Sequence, residues 1–504
     1  MFTGGTGRER VAVVGMGATG VMTTIHLINE LLRRGMPEAV ELHLIERDTR
    51  LGAGVAYGTT LPEHLLNMQA GTMSLVPERP DHFVDWLGGC RSAYVSRSDY
   101  SHYLSHCLED KLVEAARAGV EVVRTRTEVA DCEVDETHLE LVADTTLPRF
   151  DRVVLCLGDL TSTSYQGFRG HPSYVHSPWR AAGLSSIPTG ARVGVLGTSL
   201  TAIDVLLSLR AQGHQGEIVC LARQRGLPAV QPEVLQPHRL RHLTHDAVRA
   251  MTHDHRRKLS LREVAGLFAR ELDGLGAVDL ATAHAHGATD ALELLAEDVH
   301  RARTGQVRWY SALDATSELT PTLWRHLDDE AKAEFLDKHM SVWSRFRHPM
   351  PLVNAQRVAA IAETGRLAVL TGLRAIHATT SGGFDVQHGS ASAPSVRTVD
   401  HLVNATGTGA NPWLVDSPLL RSLLRRNHLS AHPFGGVDVD FDTMAARGPD
   451  GTCSNRLFFI GPLTRGVHFY TNSIETNLAN SVRLSAHLAD RIAEPAQLVA
   501  GGAR

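Results

Sequence analysis

The 504-residue chain contains no Cys-x-x-Cys pair. Its six cysteines, Cys90, Cys107, Cys132, Cys156, Cys220 and Cys453, are scattered, which fits a reducing compartment and argues against a disulfide scaffold or a zinc ribbon. The missing pair also removes the dithiol of a disulfide reductase, and no iron–sulfur or haem cysteine spacing replaces it. Long apolar runs are absent as well. The N-terminal segment MFTGGTGRER has no signal-peptide core, and no apolar run reaches the length that spans a bilayer, so a cytoplasmic chain without a membrane partner is expected. Charge of one sign is not in excess: the formal net charge is −5, with no basic stripe, so nucleic acid is not an expected partner and small molecules are.

What is present is an enzyme-like balance of 43% hydrophobic and 21% charged residues over a length that calls for two or three domains. Histidine is frequent, 28 in all, with a group at His238, His242, His245, His253 and His255. Neighbouring Arg and Lys oppose a metal there, and a partly charged helical surface is the competing reading.

The first fifty residues alternate strand, glycine turn, helix and strand: VAVVG, MGATG, VMTTIHLINELLRRG, ELHLIER. Val21, Ile25, Ile28, Leu31 and Leu32 recur at helical spacing, and Gly35 supplies a stop. A second copy follows at 191–223, with GTSLTA as its turn and Gly213 as its stop. The pattern predicts an α/β protein with two Rossmann-like dinucleotide-binding domains. Residues 1–185 and 396–504 are expected to form one dinucleotide-binding domain and 186–395 the other, with a largely helical insertion at about 230–345.

In the first turn, Gly15, Gly17 and Gly20 supply the tight bend, the close approach of a pyrophosphate and the helix–strand packing. Thr19 sits in the first helical turn, where free N–H groups meet phosphates, and Glu46 ends the next strand, where a carboxylate accepts ribose hydroxyls. In the second turn, Gly197, Thr198, Ser199 and Thr201 form a poorer match, because Ser199 replaces the middle glycine. Arg223, with Arg225 behind it, stands at the end of the next strand where an acid selects NADH; a guanidinium pairs with a 2′-phosphate and favours NADPH. Solvated arginines at a strand end are the alternative.

Over most of its length the chain resembles the two-dinucleotide-domain FAD/NAD(P)-binding proteins related to class B flavin monooxygenases, including the bacterial aspartate N-oxygenases that form nitrosuccinate. The resemblance is carried by LGAGVAYGTTLPEHLLNM, PDHFVDWL, SRSDYSHYL, GTSLTAID, LARQRGLP, TLWRHL, FRHPMP, NATGTG and IGPLTRGVHFYTN. It implies that Gly52 and Gly54 lie beside the FAD diphosphate, Asn67 and Met68 beside the isoalloxazine, and Arg97 near the FAD phosphates. Gly461 and the helix starting near Ser473 are implied to cover the pyrimidine end of the flavin, where a helix N-terminus favours negative charge.

The same resemblance implies an NADPH-dependent flavin monooxygenase working through a C4a-hydroperoxyflavin. The substrate would be a small amine or amino acid, aspartate-like in the sharpest version, and molecular oxygen the co-substrate. The cofactor carries the chemistry, so no catalytic triad is expected. Arg345, Arg347, His348 and Arg465 are the cations placed to read a substrate carboxylate. Baeyer–Villiger or sulfur oxidation, and a flavin-binding regulatory protein with little turnover, are the alternatives. Self-association is left open.

Overall fold

A computed structural model describes residues 8–494 except 136, 159, 180–182, 225, 277–289, 391 and 408. Two sheets carry the two glycine turns. The first has six strands in the order 445–447, 453–459, 152–155, 9–14, 40–46 and 121–126, parallel apart from the outermost 445–447. The second is parallel throughout, in the order 367–370, 218–221, 193–196, 401–404 and 174–175.

The second order bears on the expected domain boundaries. Strands 174–175 and 401–404 were expected on the FAD side of the 185/186 and 395/396 boundaries, yet both pair within the second sheet. The chain therefore passes between sheets after Leu155 and again after Asn404. Each short strand pairs only with strands distant in sequence, a long-range choice that local patterning does not encode.

The helices behave as their sequences dictate. Ala18–Arg33 ends where Gly35, at φ +67°, lets its own N–H reach Leu32 O and the Met36 N–H reach Leu31 O, closing off the last carbonyls. Leu200–Ala211 stops the same way at Gly213. The first sheet is covered on one face by Ala18–Arg33, Arg97–Ala118 and Ile474–Ala493, which share one apolar core. On the other face Pro418–Arg425 buries Leu419, Leu420, Leu423 and Leu424. Each such leucine stabilises the fold by about 1.5–3 kcal/mol.

From His245 onward the expected insertion is mainly helical where it is described, after a non-helical stretch at 231–244, and Trp309, Tyr310, Leu313 and Phe346 join its helices to the core of the second sheet. Among the described residues no helix is long and apolar enough to cross a membrane, and no group of three His, Cys, Asp or Glu side chains is gathered as a metal site. His238 instead bonds to Glu271 at 2.9 Å, and the His255 and His326 rings stack with centroids 4.7 Å apart.

Candidate functional site: two glycine turns and a buried polar cluster

The first strand runs out at Gly15, whose φ is +91° and whose added Cβ would lie 2.4 Å from Cys156 O. A Cβ on Gly20 would lie 2.0 Å from Gly15 O. The fold itself therefore demands glycine at both positions. Gly17 differs: a Cβ there would meet only Gly54, at 3.5 Å from its Cα, an ordinary contact. Packing does not explain that glycine, whereas close approach of a ligand to the backbone does.

The helix that Gly17 opens has no side-chain cap and no acid in its first turn, so its N-terminal N–H groups are left for an anion. A second N-terminus opens at the same end. Thr23 faces Ser481 at 3.2 Å, and Arg34 reaches Asp490, so Ala18–Arg33 and Ile474–Ala493 run parallel. Ser473 caps the latter by accepting from Thr476 N. Gly461, at φ +118°, has Thr19 as its nearest neighbour, 3.8 Å from an added Cβ. The glycine turn, Gly461 and Ser473 thus converge at the C-terminal edge of the sheet.

Glu46 is held against the turn, accepting from Met16 N at 2.7 Å through one oxygen and from Arg47 N and Asp48 N at 2.8 and 3.1 Å through the other. Gly52 donates to Met16 O at 2.7 Å, and Gly54 packs on Gly17, so the second glycine pair overlies the first turn. These residues fit a dinucleotide: two helix N-termini, a glycine that only a ligand requires, and a carboxylate fixed at the next strand end.

Arg97, expected near the FAD phosphates, is engaged by protein partners. Its guanidinium meets Asp204 of the second unit at 2.7 Å, donates to Leu65 O at 3.2 Å and lies 5.5 Å from the centre of the Trp179 ring. His64 joins this junction by bonding Ser208 Oγ at 2.6 Å. Asp204 is a buried carboxylate that demands a cation, and Arg97 supplies it.

At the second turn Gly197, at φ +118°, approaches Ala405 O so closely that a Cβ would stand 2.7 Å away. Ser199 begins Leu200–Ala211 without capping it by its side chain, again leaving helix N–H groups open. Thr198 is buried and Thr201 half-buried beside it, and Arg223 is exposed just beyond the strand 218–221. Arg225 lies outside the described residues.

Asn67 and Met68 connect the first unit to the rest. Asn67 O accepts from Gln231 Nε2 at 2.6 Å, and the Tyr310 hydroxyl donates to Met68 Sδ at 3.8 Å. Tyr310 belongs to a polar cluster with Asp314, Arg347, Tyr470 and Glu475, gathered from the Arg308–Ala315 and Met340–Arg347 helices, the 461–470 segment and the last helix.

The four expected carboxylate readers separate here. Arg345 is pinned by Asp298 at 2.6 Å and by Leu227 O. Arg347 is 1% exposed, donates to Ser317 Oγ and stands 4.2 Å from the centre of the Tyr470 ring. His348 stacks on the same ring at 5.4 Å. Arg465 has no carboxylate within 4.0 Å among the described residues, and burial alone pulls its pKa below the usual arginine range. Sequence reasoning missed Asp314, since no local motif marks it.

Phe469 sits at φ +55° and ψ −64°, with Tyr470 N donating to His468 O at 2.7 Å, a γ-turn of the rare, strained kind. The turn sends neighbouring rings apart. Phe469 stacks on Trp324 at 4.6 Å and lines an apolar cavity of about 890 Å³ with Trp309, Trp343 and Phe346, while Tyr470 enters the polar cluster.

Residues 12–160 match a family model described as FAD-NAD(P)-binding. No curated protein matches the chain. Among solved structures, L-lysine 6-monooxygenase from Pseudomonas syringae is 15% identical, with 97% of this chain and 100% of that chain covered and a TM-score of 0.59. The cadaverine monooxygenase of desferrioxamine biosynthesis from Erwinia amylovora, solved with FAD, is 13% identical, with 97% and 96% covered and a TM-score of 0.54. An ornithine N-hydroxylase from Kutzneria sp. 744, solved with reduced FAD, NADP+ and L-ornithine, is 14% identical, with 96% and 99% covered and a TM-score of 0.52. The chain shares the two-unit α/β fold of these proteins over nearly its whole described length.

Proposed function

We propose that the protein is an FAD- and NADPH-dependent monooxygenase that oxygenates the nitrogen of a small amine or amino acid, with aspartate-like substrates as the sharpest form. The observation that carries the reading is the glycine turn at Gly15–Gly20, where Gly17 is free of any packing demand and two parallel helix N-termini open together. The shared fold with enzymes named for lysine, ornithine and cadaverine supports nitrogen as the target.

In this reading Gly15, Gly17, Thr19, Gly20, Gly52, Gly54 and Gly461 hold the FAD, Glu46 takes its ribose and Ser473 sets the N-terminus that faces the ring. Gly197, Thr198, Ser199, Thr201 and Arg223 hold the NADPH. Held there, FAD and NADPH would supply the hydride-accepting and oxygen-activating chemistry. The chain's own residues bind, orient and exclude water. Arg465, which has no carboxylate within 4.0 Å among the described residues, takes a substrate carboxylate, while Arg347 braces Tyr470.

A second reading, oxidation of a sulfide or ketone, draws on the 890 Å³ apolar cavity behind Phe469. One experiment separates the two. The purified protein is inspected for an oxidised-flavin spectrum, and NADPH oxidation is followed with amines, amino acids, sulfides and ketones while products are identified. Amine-coupled NADPH loss with an N-oxygenated product supports the first reading, and absence of bound flavin overturns both.

A further inference from the structure

Asp314 combines three features that each destabilise a carboxylate. It stands in the last turn of the Arg308–Ala315 helix, where the helix dipole disfavours negative charge. Its Oδ1 is sealed in protein without a hydrogen-bond partner, and among the described residues no cation comes within 4.0 Å of it. The nearest candidate, Arg347, points its Nη2 away to Ser317 Oγ, which itself donates to the backbone carbonyl of Asp314 at 2.6 Å. The remaining Arg347 donors, Nε and Nη1, are buried and unpaired. An unpaired buried charge is costly to a fold, so its retention calls for a partner that arrives from outside.

The position of Asp314 says where that partner stands. Tyr310 lies one helical turn earlier on the same face, and its hydroxyl touches Met68, next to Asn67. Tyr470 and Glu475 close the cluster from the γ-turn and the last helix, Arg347 from the Met340–Arg347 helix, and Tyr94 from the segment before Arg97. Of the two carboxylate oxygens only Oδ1 is sealed without a partner, and Asp314 as a residue is half-buried.

We propose that Asp314 receives the ammonium group of the substrate and takes its proton, which makes the substrate class a primary amine or amino acid and not a sulfide or ketone. The inference rests on the monooxygenase reading above. The step balances: one N–H bond of R–NH3+ breaks, its electron pair stays on nitrogen as the lone pair that oxygenation needs, and the proton joins a carboxylate oxygen. An ion pair becomes a neutral amine and a neutral acid, with no electron transferred. In water that transfer runs uphill, because an alkylammonium holds its proton to about pH 10. Burial penalises both charges and drives the pair toward the neutral products. Burial lifts Asp314 to about 6, with Glu475 adding to the rise and Arg347 opposing it.

The test is calorimetric binding to the flavin-loaded protein and its Asp314→Asn and Asp314→Glu variants. L-aspartate, L-ornithine and cadaverine serve as probes, with L-malate and pentane-1,5-diol as hydroxyl counterparts. The expected result is a loss of tenfold or more in amine affinity in Asp314→Asn, recovered in Asp314→Glu, with the hydroxyl counterparts unaffected. The amine-coupled NADPH oxidation of the wild type should rise with pH through a limb near 6, and in Asp314→Asn that limb should move to the alkaline side. Thermal unfolding guards against a merely structural role: removing an unpaired charge should leave Tm equal or higher, whereas a structural Asp314 would show a lower one. Equal amine affinity and an unmoved pH limb in Asp314→Asn would overturn the proposal, as would a flavin-loaded protein that oxidises NADPH yet binds no amine of the panel. Failure to hold flavin sinks the monooxygenase reading instead, and calorimetry of the same probes on the flavin-free protein and its variants then decides for or against Asp314 as the ammonium site.

Discussion

Arg97 and Asp204 form an ion pair at 2.7 Å across the junction of the two glycine-turn units, with side chains only 9% and 4% exposed. Arg97 opens the Arg97–Ala118 helix of the first unit, and Asp204 sits one turn into the helix that follows the second glycine turn. The pair therefore fixes the helix of the second turn against the first unit. Asp204→Ala leaves a buried guanidinium unpaired and should cost about 3–5 kcal/mol. The double variant Arg97→Met/Asp204→Leu should recover much of that loss. Urea unfolding of the single and double variants measures both, and a single variant as stable as the wild type would contradict the role given to the pair.

Gly17→Ala and Gly20→Ala should part company. At Gly20 the new methyl would stand 2.0 Å from Gly15 O, so the turn cannot close and soluble folded protein should fall sharply. At Gly17 the methyl meets only an ordinary 3.5 Å contact, so the protein should fold with near-normal stability but bind FAD at least tenfold more weakly. Flavin content after purification and circular dichroism distinguish the outcomes. Full flavin occupancy in Gly17→Ala would remove the ligand from that position.

What the sequence made legible is local. Gly15, Gly20, Gly35 and Gly213 each act through their own φ or through neighbours a few residues away, so their roles could be read from spacing. The helical insertion was legible for the same reason. The Arg97 ion pair was not legible because its partner lies 107 positions away, on a helix whose position depends on the packing of two sheets. The place of strands 174–175 and 401–404 in the second sheet was not legible because each pairs only with strands distant in sequence. Asp314 carried no signal at all: in a segment rich in charge, only the fold shows which carboxylate has been left without a partner.

Arg223 offers a direct test of the second nucleotide. The side chain is exposed just beyond the strand 218–221, free of the packing that would make its loss a folding defect. Arg223→Ala should raise the KM for NADPH by tenfold or more and leave that for NADH nearly unchanged, since only the former carries a 2′-phosphate. Thermal unfolding should be unaffected. Equal rises for both nucleotides would assign the 2′-phosphate elsewhere.

Glu271 anchors the loop that enters the helical insertion, and its chemistry sets an acid limit on that region. The side chain accepts from the N–H groups of Arg241, His242 and Leu243 at 2.7–3.2 Å and from His238 at 2.9 Å. Burial pushes its pKa up, but His238 and the three backbone donors outweigh it and hold it at about 2. A carboxylate whose folded pKa is depressed contributes stability that is fully present above its unfolded pKa, about 4.3, and is lost as pH falls through the folded value. The wild type should therefore lose stability from about pH 4.5 down to 2 through this group. Glu271→Gln keeps the shape, gives up the charge and should be less stable near pH 7 by about 1–3 kcal/mol. Because the variant has no proton to gain, its deficit should shrink as the pH falls through that window. Urea unfolding of both proteins between pH 2 and 7 reads the difference, and a deficit that is constant with pH would mean that the Glu271 charge does not hold the loop.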